Sequence, residues 1–281
     1  MSKKPKNIQE YLDNSSLTSD GKLIHSITET HCHLDMLKNV DLNLLQDNLQ
    51  KCGINRVITI GTSNKNFQVV TEIQKNSPSI YYTLGTHPHE AKDFTDKDID
   101  FIRAEFAKNP KKLVAIGEIG LDYFYDYSPR EIQISVFKKY LNLAIELNLP
   151  VVIHTRDADD DMAEILKEFA PLMQKKGVVH SFSSGIDLGK TAAQLGFFLG
   201  FNGMITFKNA DNVREAVRNT PNNQLLIETD SPFLTPHPFR GLQNTPEFLP
   251  LVLEKLAELK NLSLQEMMKQ VEENTDRCFF S

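Results

Sequence analysis

Residues 137–154 read FKKYLNLAIELNLPVVIH, and this stretch sets the fold. Phe137, Tyr140, Leu141, Ala144 and Leu147 recur three or four residues apart, which lines them along one face of a helix. Pro150–Ile153 follows as a short apolar run, and His154 stands at its end. A helix with one face to bury, leading directly into a buried strand, is a unit of alternating strand and helix around a parallel sheet.

The same alternation extends in both directions. Strands are expected at Ser26–Thr30, Arg56–Ile60, Ile80–Leu84, Leu113–Ile116, Pro150–Ile153, Val178–Val179, Phe197–Phe201 and Leu225–Ile227, each followed by polar or Gly-containing residues. Eight such units close a (β/α)₈ TIM barrel of the α/β class. Such barrels run to roughly 250 residues as one domain, so residues 23–281 are expected to form a single barrel domain. Near the C-terminus Ser263 and Glu266 form a capping box ahead of Leu264, Met267, Met268 and Val271, which are expected in the core. Residues 1–22 are polar after their first lysines and hold no apolar leader stretch; they are expected to form a flexible or surface-draped arm.

With 40% hydrophobic and 24% charged residues the chain can bury a large core. Its net charge of −6 argues against a protein that grips nucleic acid through a broad basic surface. Cys32, Cys52 and Cys278 are scattered and odd in number, which fits a reducing, cytoplasmic setting better than a disulfide framework. No stretch is long enough to span a membrane, and no obligate protein partner is evident.

Chemistry concentrates at the strand ends. His31 and His33 close the first strand, where alternation aims both imidazoles one way and Cys32 the other. Glu118 follows the fourth strand, His154 the fifth, His180 the sixth and Asp230 the eighth. In a parallel barrel the C-terminal strand ends share one rim, so these six side chains converge there. Six such ligands exceed one tetrahedral site and suit two divalent cations sharing a carboxylate. His31, His33 and Asp230 are expected at one ion, His154 and His180 at the other, and Glu118 at both. Paired cations would make hydroxide available near neutral pH, with Asp230 as a proton acceptor. Four imidazoles favour a transition metal such as Zn or Mn in at least one site, whereas phosphate chemistry commonly recruits Mg.

The segments Thr-His-Cys-His-Leu-Asp (30–35), Gly-Thr-His-Pro-His (85–89), Gly-Glu-Ile-Gly-Leu-Asp-Tyr (117–123), His-Thr-Arg-Asp-Ala (154–158), His-Ser-Phe-Ser-Ser-Gly (180–185) and Glu-Thr-Asp-Ser-Pro (228–232) resemble those of TatD-type metal-dependent deoxyribonucleases. The resemblance spans about residues 27–279 and implies a TIM barrel with a two-metal site. It also implies that His87 contacts a phosphate or leaving group and that Glu228 is an acidic residue close to the metals. Arg156 and Arg240, on loops after strands five and eight, are suited either to phosphate oxygens or to surface ion pairs. Three positions depart from the family pattern: Glu29 replaces an Asp, Ser181 a Cys, and Thr245 the Glu of Asn-Glu-Pro. They bear on substrate preference more than on the metal ligands.

Three functions follow. The first is a deoxyribonuclease, exonuclease-like, acting on single-stranded or frayed DNA ends, with Glu118, Asp230 and His87 as catalytic residues. The second is a barrel metallohydrolase cleaving an ester or amide, including mischarged tRNA, because hydroxide attacks a carbonyl equally well. Glu118 stands where related amidohydrolases carry a lysine, which tilts the choice towards the nuclease. The third, a non-catalytic scaffold, is disfavoured by six intact ligands.

Overall fold

The computed structural model describes residues 8–13, 18–19, 22–23 and 26–281, apart from 76 and 126. Eight parallel strands follow one another around a nearly closed barrel: β1 Ile27–Cys32, β2 Ile54–Gly61, β3 Ile80–Leu84, β4 Leu113–Asp122, β5 Val151–Arg156, β6 Gly177–Val179, β7 Phe198–Phe201 and β8 Leu225–Ile227. The outer layer is formed by α1 Leu42–Lys51, α2 Phe67–Lys75, α3 Asp96–Lys108, α4 Arg130–Leu147, α5 Asp159–Phe169, α6 Ile186–Gln194, α7 Asp211–Asn219, α8 Leu249–Lys260 and α9 Leu264–Thr275. The expected TIM barrel is present, and each expected strand has its counterpart.

In α4 the anticipated face is the buried one, since Phe137, Tyr140, Leu141 and Ala144 are inaccessible. The helix stops at Asn148, whose φ of 51° lets the amide turn back to the Ala144 and Ile145 carbonyls. The capping box at Ser263 and Glu266 is also formed, and Met267, Met268 and Val271 are buried behind it.

The fourth strand is longer than its sequence suggested. It runs on to Asp122, with Ile119, Gly120, Leu121 and Asp122 paired to Ile153, His154, Thr155 and Arg156 of β5. Gly and Glu weaken the strand signal at 117–120, but the ladder on β5, which skips Gly117 and Glu118 and resumes at Ile119, supplies partners on either side that local propensity does not. Glu118 therefore projects from within a strand, on backbone held from its flank.

Inside the barrel, Ile58, Ile60, Val114, Val152, Val178, Phe198 and Leu226 form an apolar plug, sealed by Cys278 and Phe279. Two residues further along their strands, on the same inward face, stand His154 after Val152, His180 after Val178 and Glu228 after Leu226. The plug keeps water from the floor and leaves the C-terminal mouth polar.

Closure falls between β1 and the segment after β8. The Asp230 amide donates to the His31 carbonyl at 2.9 Å, the His33 amide to the Ser231 carbonyl at 2.8 Å, and the Thr30 hydroxyl to the Ile227 carbonyl at 2.8 Å. Of the polar arm, helix Ile8–Asp13 lies against the barrel: Tyr11 meets Phe239 edge-on at 6.3 Å and donates its hydroxyl proton to Glu254. Residues 1–7, 14–17 and 20–21 are outside the described residues. No helix among the described residues is long and apolar enough to cross a membrane.

Candidate metal centre

All six expected ligands meet at the C-terminal mouth. Glu118 lies at their middle with its two oxygens facing different imidazoles. Oε2 is 3.6 Å from His31 Nε2 and 4.0 Å from His33 Nε2, while Oε1 is 2.8 Å from His180 Nε2 and 3.1 Å from His154 Nδ1. Asp230 Oδ1 completes the first group, 3.5 Å from His33 Nε2 and 3.8 Å from His31 Nε2. Asp230 has a φ of 57°, a left-handed conformation that Asp tolerates better than most residues.

The donor set fits a divalent cation. His31, His33 and Glu118 offer atoms all within 4.8 Å of one another, as do His31, His180 and Asp230. Both ring nitrogens of His31 and Nδ1 of His33 and of His180 are buried with no hydrogen-bond partner. Burying such nitrogens unsatisfied costs about 1–3 kcal/mol each, and coordination relieves that cost where a lone pair faces the centre.

Charge points the same way. Burial pushes the Glu118 carboxyl up, yet the His180 and His87 rings and hydrogen bonds from His154 and His180 outweigh it and hold it well below the usual range. Asp230 is also raised by burial and, on balance, lowered by its bond to His33 and the adjacent rings. Burial and the neighbouring His180 keep His31 below an ordinary histidine. Their rings stack at 3.9 Å, which disfavours a proton on both. Against burial, the carboxylates push the His33, His154 and His180 rings up, so without a cation protons balance the clustered carboxylates, and a borderline cation would bind by displacing them.

Further residues set the ring orientations. Asp122 Oδ2 lies 3.1 Å from His154 Nε2 and 2.8 Å from His89 Nε2. A proton on His154 Nε2 shared with that carboxylate leaves Nδ1 as a lone pair aimed at Glu118, the carboxylate–histidine–metal arrangement. Glu228 backs His180: its Oε1 is 3.6 Å from Nδ1 and accepts the Ser181 amide at 2.6 Å. A Cβ on Gly200 would come within 2.5 Å of Glu228 Oε2, so this glycine makes room for the carboxylate. Neither Asp122 nor His89 was singled out from sequence. For Asp122 the signal is alternation, since it follows Glu118 and Gly120 at every second position of one strand; His89 lies in the turn after β3, where no such period applies.

His87 arrives beside the cluster, Nε2 being 3.4 Å from Glu118 Oε1. Its Nδ1 accepts the His89 amide at 3.2 Å, so the ring proton sits on Nε2. That tautomer makes His87 a hydrogen-bond donor into the cavity, while His87, Glu118 and His154 also offer atoms within 4.8 Å of one another. Burial pushes its pKa down to about 4, so the ring is neutral. The two arginines form no ion pair with the cluster's carboxylates. Arg156 stacks over Phe124 at 3.8 Å, and Arg240 over Phe207 at 3.9 Å with a bond to the Thr235 carbonyl at 3.3 Å. Among the described residues neither guanidinium pairs with a carboxylate.

Glu29 explains one departure from the family pattern. It is fully buried and accepts the His31 amide at 2.9 Å and the Thr229 amide at 3.0 Å, joining the backbone just before Asp230 to the strand carrying His31. Burial pushes its carboxyl up to about 8, so near neutrality it resembles a neutral amide. Glu29→Ala would leave two buried amides without an acceptor, and we expect urea unfolding to register a loss of about 2–5 kcal/mol. Glu29→Gln keeps a carbonyl oxygen there and should stay within about 1.5 kcal/mol of the parent; equal stability of all three proteins would remove this role.

A TIM barrel with this imidazole and carboxylate cluster at its mouth belongs to the class of barrel metal-dependent hydrolases. More narrowly, the chain belongs to the TatD related DNase family, whose model matches residues 28–280. The uncharacterized metal-dependent hydrolase YabD of Bacillus subtilis is 39% identical over 252 residues, covering 89% of this chain and 98% of that protein. The uncharacterized metal-dependent hydrolase YcfH of Escherichia coli is 33% identical over 258 residues, covering 90% and 95%. The crystal structure of YjjV, a TatD homologue from Escherichia coli, superposes with a TM-score of 0.85 at 31% identity, covering 91% of this chain and 98% of that one.

Proposed function

We propose that this chain is a deoxyribonuclease of exonuclease type, cleaving phosphodiester bonds at single-stranded or frayed DNA ends. One observation carries the reading: the two oxygens of Glu118 address separate imidazole groups, as a carboxylate shared by two adjoining cations must. His31, His33 and Asp230 would hold one cation and His154 and His180 the other, with Glu118 common to both. When bound, divalent cations such as Mg, Mn or Zn supply positive charge at the scissile phosphate and acidify the attacking water.

The chain's own groups do the rest. Asp230, at 13% the most exposed carboxylate of the centre, accepts the proton released by the attacking water. His87 donates its Nε2 proton in a hydrogen bond to a phosphate oxygen or to the departing oxygen. Asp122 and Glu228 keep His154 and His180 from rotating. The acidic surface suits a short end better than a long duplex, and three free, buried cysteines suit a reducing cytoplasm.

The test is product analysis on single-stranded oligonucleotides blocked at the 3′ or the 5′ end, with purified protein supplied in turn with Mg, Mn and Zn. Shortening of one blocked series but not the other is expected. Turnover of neutral esters or lactones with intact oligonucleotides would replace the nuclease by a carbonyl hydrolase.

A further inference from the structure

The loop after β4 leaves Phe124, Tyr125 and Tyr127 exposed, at 54%, 37% and 53%, immediately beside the centre. Such rings normally turn inward, and clustered exposure marks a surface kept for a ligand. They are ordered with respect to one another. Tyr125 and Tyr127 stack at 5.3 Å with planes 4° apart, and both meet the ring of His89 edge-on, at 5.1 and 4.9 Å.

The same loop is tied to the centre through one side chain. Asp122 Oδ1 accepts the amides of Phe124 and Tyr125 at 3.0 and 3.1 Å, while its Oδ2 meets His89 and His154. Asp122 thereby sets the rings and the His154 imidazole in one frame. Beside them Arg156 covers Phe124 at 3.8 Å and lies 4.9 Å from Tyr125, with no carboxylate partner among the described residues. Phe124 stands edge-on to the stacked pair, its ring 4.8 Å from Tyr125. Exposed aromatic faces and an arginine without a carboxylate partner are the two components of single-strand nucleic-acid binding. An aromatic face meets any base, whereas the cation meets the backbone.

We propose that Phe124, Tyr125, Tyr127 and Arg156 form a base-stacking subsite that holds the unpaired nucleotides next to the scissile phosphate. This rests on the nuclease reading. It adds where the strand lies and why an unpaired end is preferred, since bases within a duplex cannot offer their faces to the tyrosines.

The experiment compares binding of fluorescent oligothymidine and of an abasic oligomer of equal length and charge, by anisotropy, in chelator so that neither is cut. Wild-type protein should bind oligothymidine roughly tenfold or more tightly than the abasic strand. In Tyr125→Ala/Tyr127→Ala that preference should fall below about twofold, and Tyr125→Phe/Tyr127→Phe, which keeps both rings, should restore it. Equal binding of the two strands by the wild type, or an unchanged preference in the alanine variant, overturns the subsite. So does a wild-type protein that self-associates through these tyrosines while its preference for bases ignores them. Cleavage assays separate the two ideas: DNA cut by a protein whose preference ignores the tyrosines sinks the subsite alone. Ring-dependent binding with no cleavage under any metal sinks the nuclease alone.

Discussion

Glu118→Gln is expected to reduce hydrolysis by about a thousandfold or more while leaving the barrel folded. The carboxylate offers one oxygen to each group of imidazoles, at 2.8–3.1 Å on one side and 3.6–4.0 Å on the other. An amide keeps one acceptor and turns an NH₂ towards the other group, so a common ligand becomes a ligand for one side only. The variant also removes the negative charge that two adjoining cations need between them. Losing several kcal/mol of transition-state charge stabilisation corresponds to roughly 10³-fold in rate. Elemental analysis should show lower metal content than in wild-type protein, and circular dichroism should be unchanged. Full activity in the variant would remove Glu118 from the chemistry and with it the two-cation reading.

The second large effect concerns Gly120, between Glu118 and Asp122 on β4. Its φ is 144°, and a Cβ there would lie 2.0 Å from the His154 carbonyl oxygen. That oxygen belongs to the backbone of the neighbouring strand and cannot step aside without moving a ligand. Strain of about 1–3 kcal/mol for the backbone conformation and a similar amount for the overlap predict that Gly120→Ala loses about 2–6 kcal/mol in urea unfolding. Gly241 is the control: its φ is also positive, at 95°, but nothing lies within 4 Å of a new Cβ, so Gly241→Ala should lose only about 1–2 kcal/mol. Wild-type stability in Gly120→Ala would mean that β4 and β5 are not as close as described.

These two residues mark how much of the protein could be read in advance. Val-Val-Ile-His at 151–154 is legible because a short apolar run between a helix face and a polar end has few other places to go in an α/β chain. Gly117-Glu118-Ile119-Gly120 is not. Glycine lowers strand propensity everywhere, and only the β5 ladder shows why it was needed: at 120 no side chain fits. The six candidate ligands could be named because period-two alternation and a common rim are properties of the chain and of closure alone. The family resemblance supplied His87 and Glu228, but not the His89 amide that decides which nitrogen of His87 carries the proton.

Strand and helix order, the parallel barrel and the gathering of the six candidate ligands were determined by the sequence itself, through periodicities that repeat every two or 3.6 residues and need no distant information. The tertiary structure alone decided which oxygen of Glu118 faces which ring, that Asp122 holds His154 and the aromatic loop together, that Glu29 ties the two ends of the barrel, and that Arg156 stacks on Phe124. Each of these depends on hydrogen-bond direction and ångström-scale distance between residues up to two hundred positions apart. Local pattern cannot encode that; it arises only when the sheet closes and packing removes the remaining rotamers.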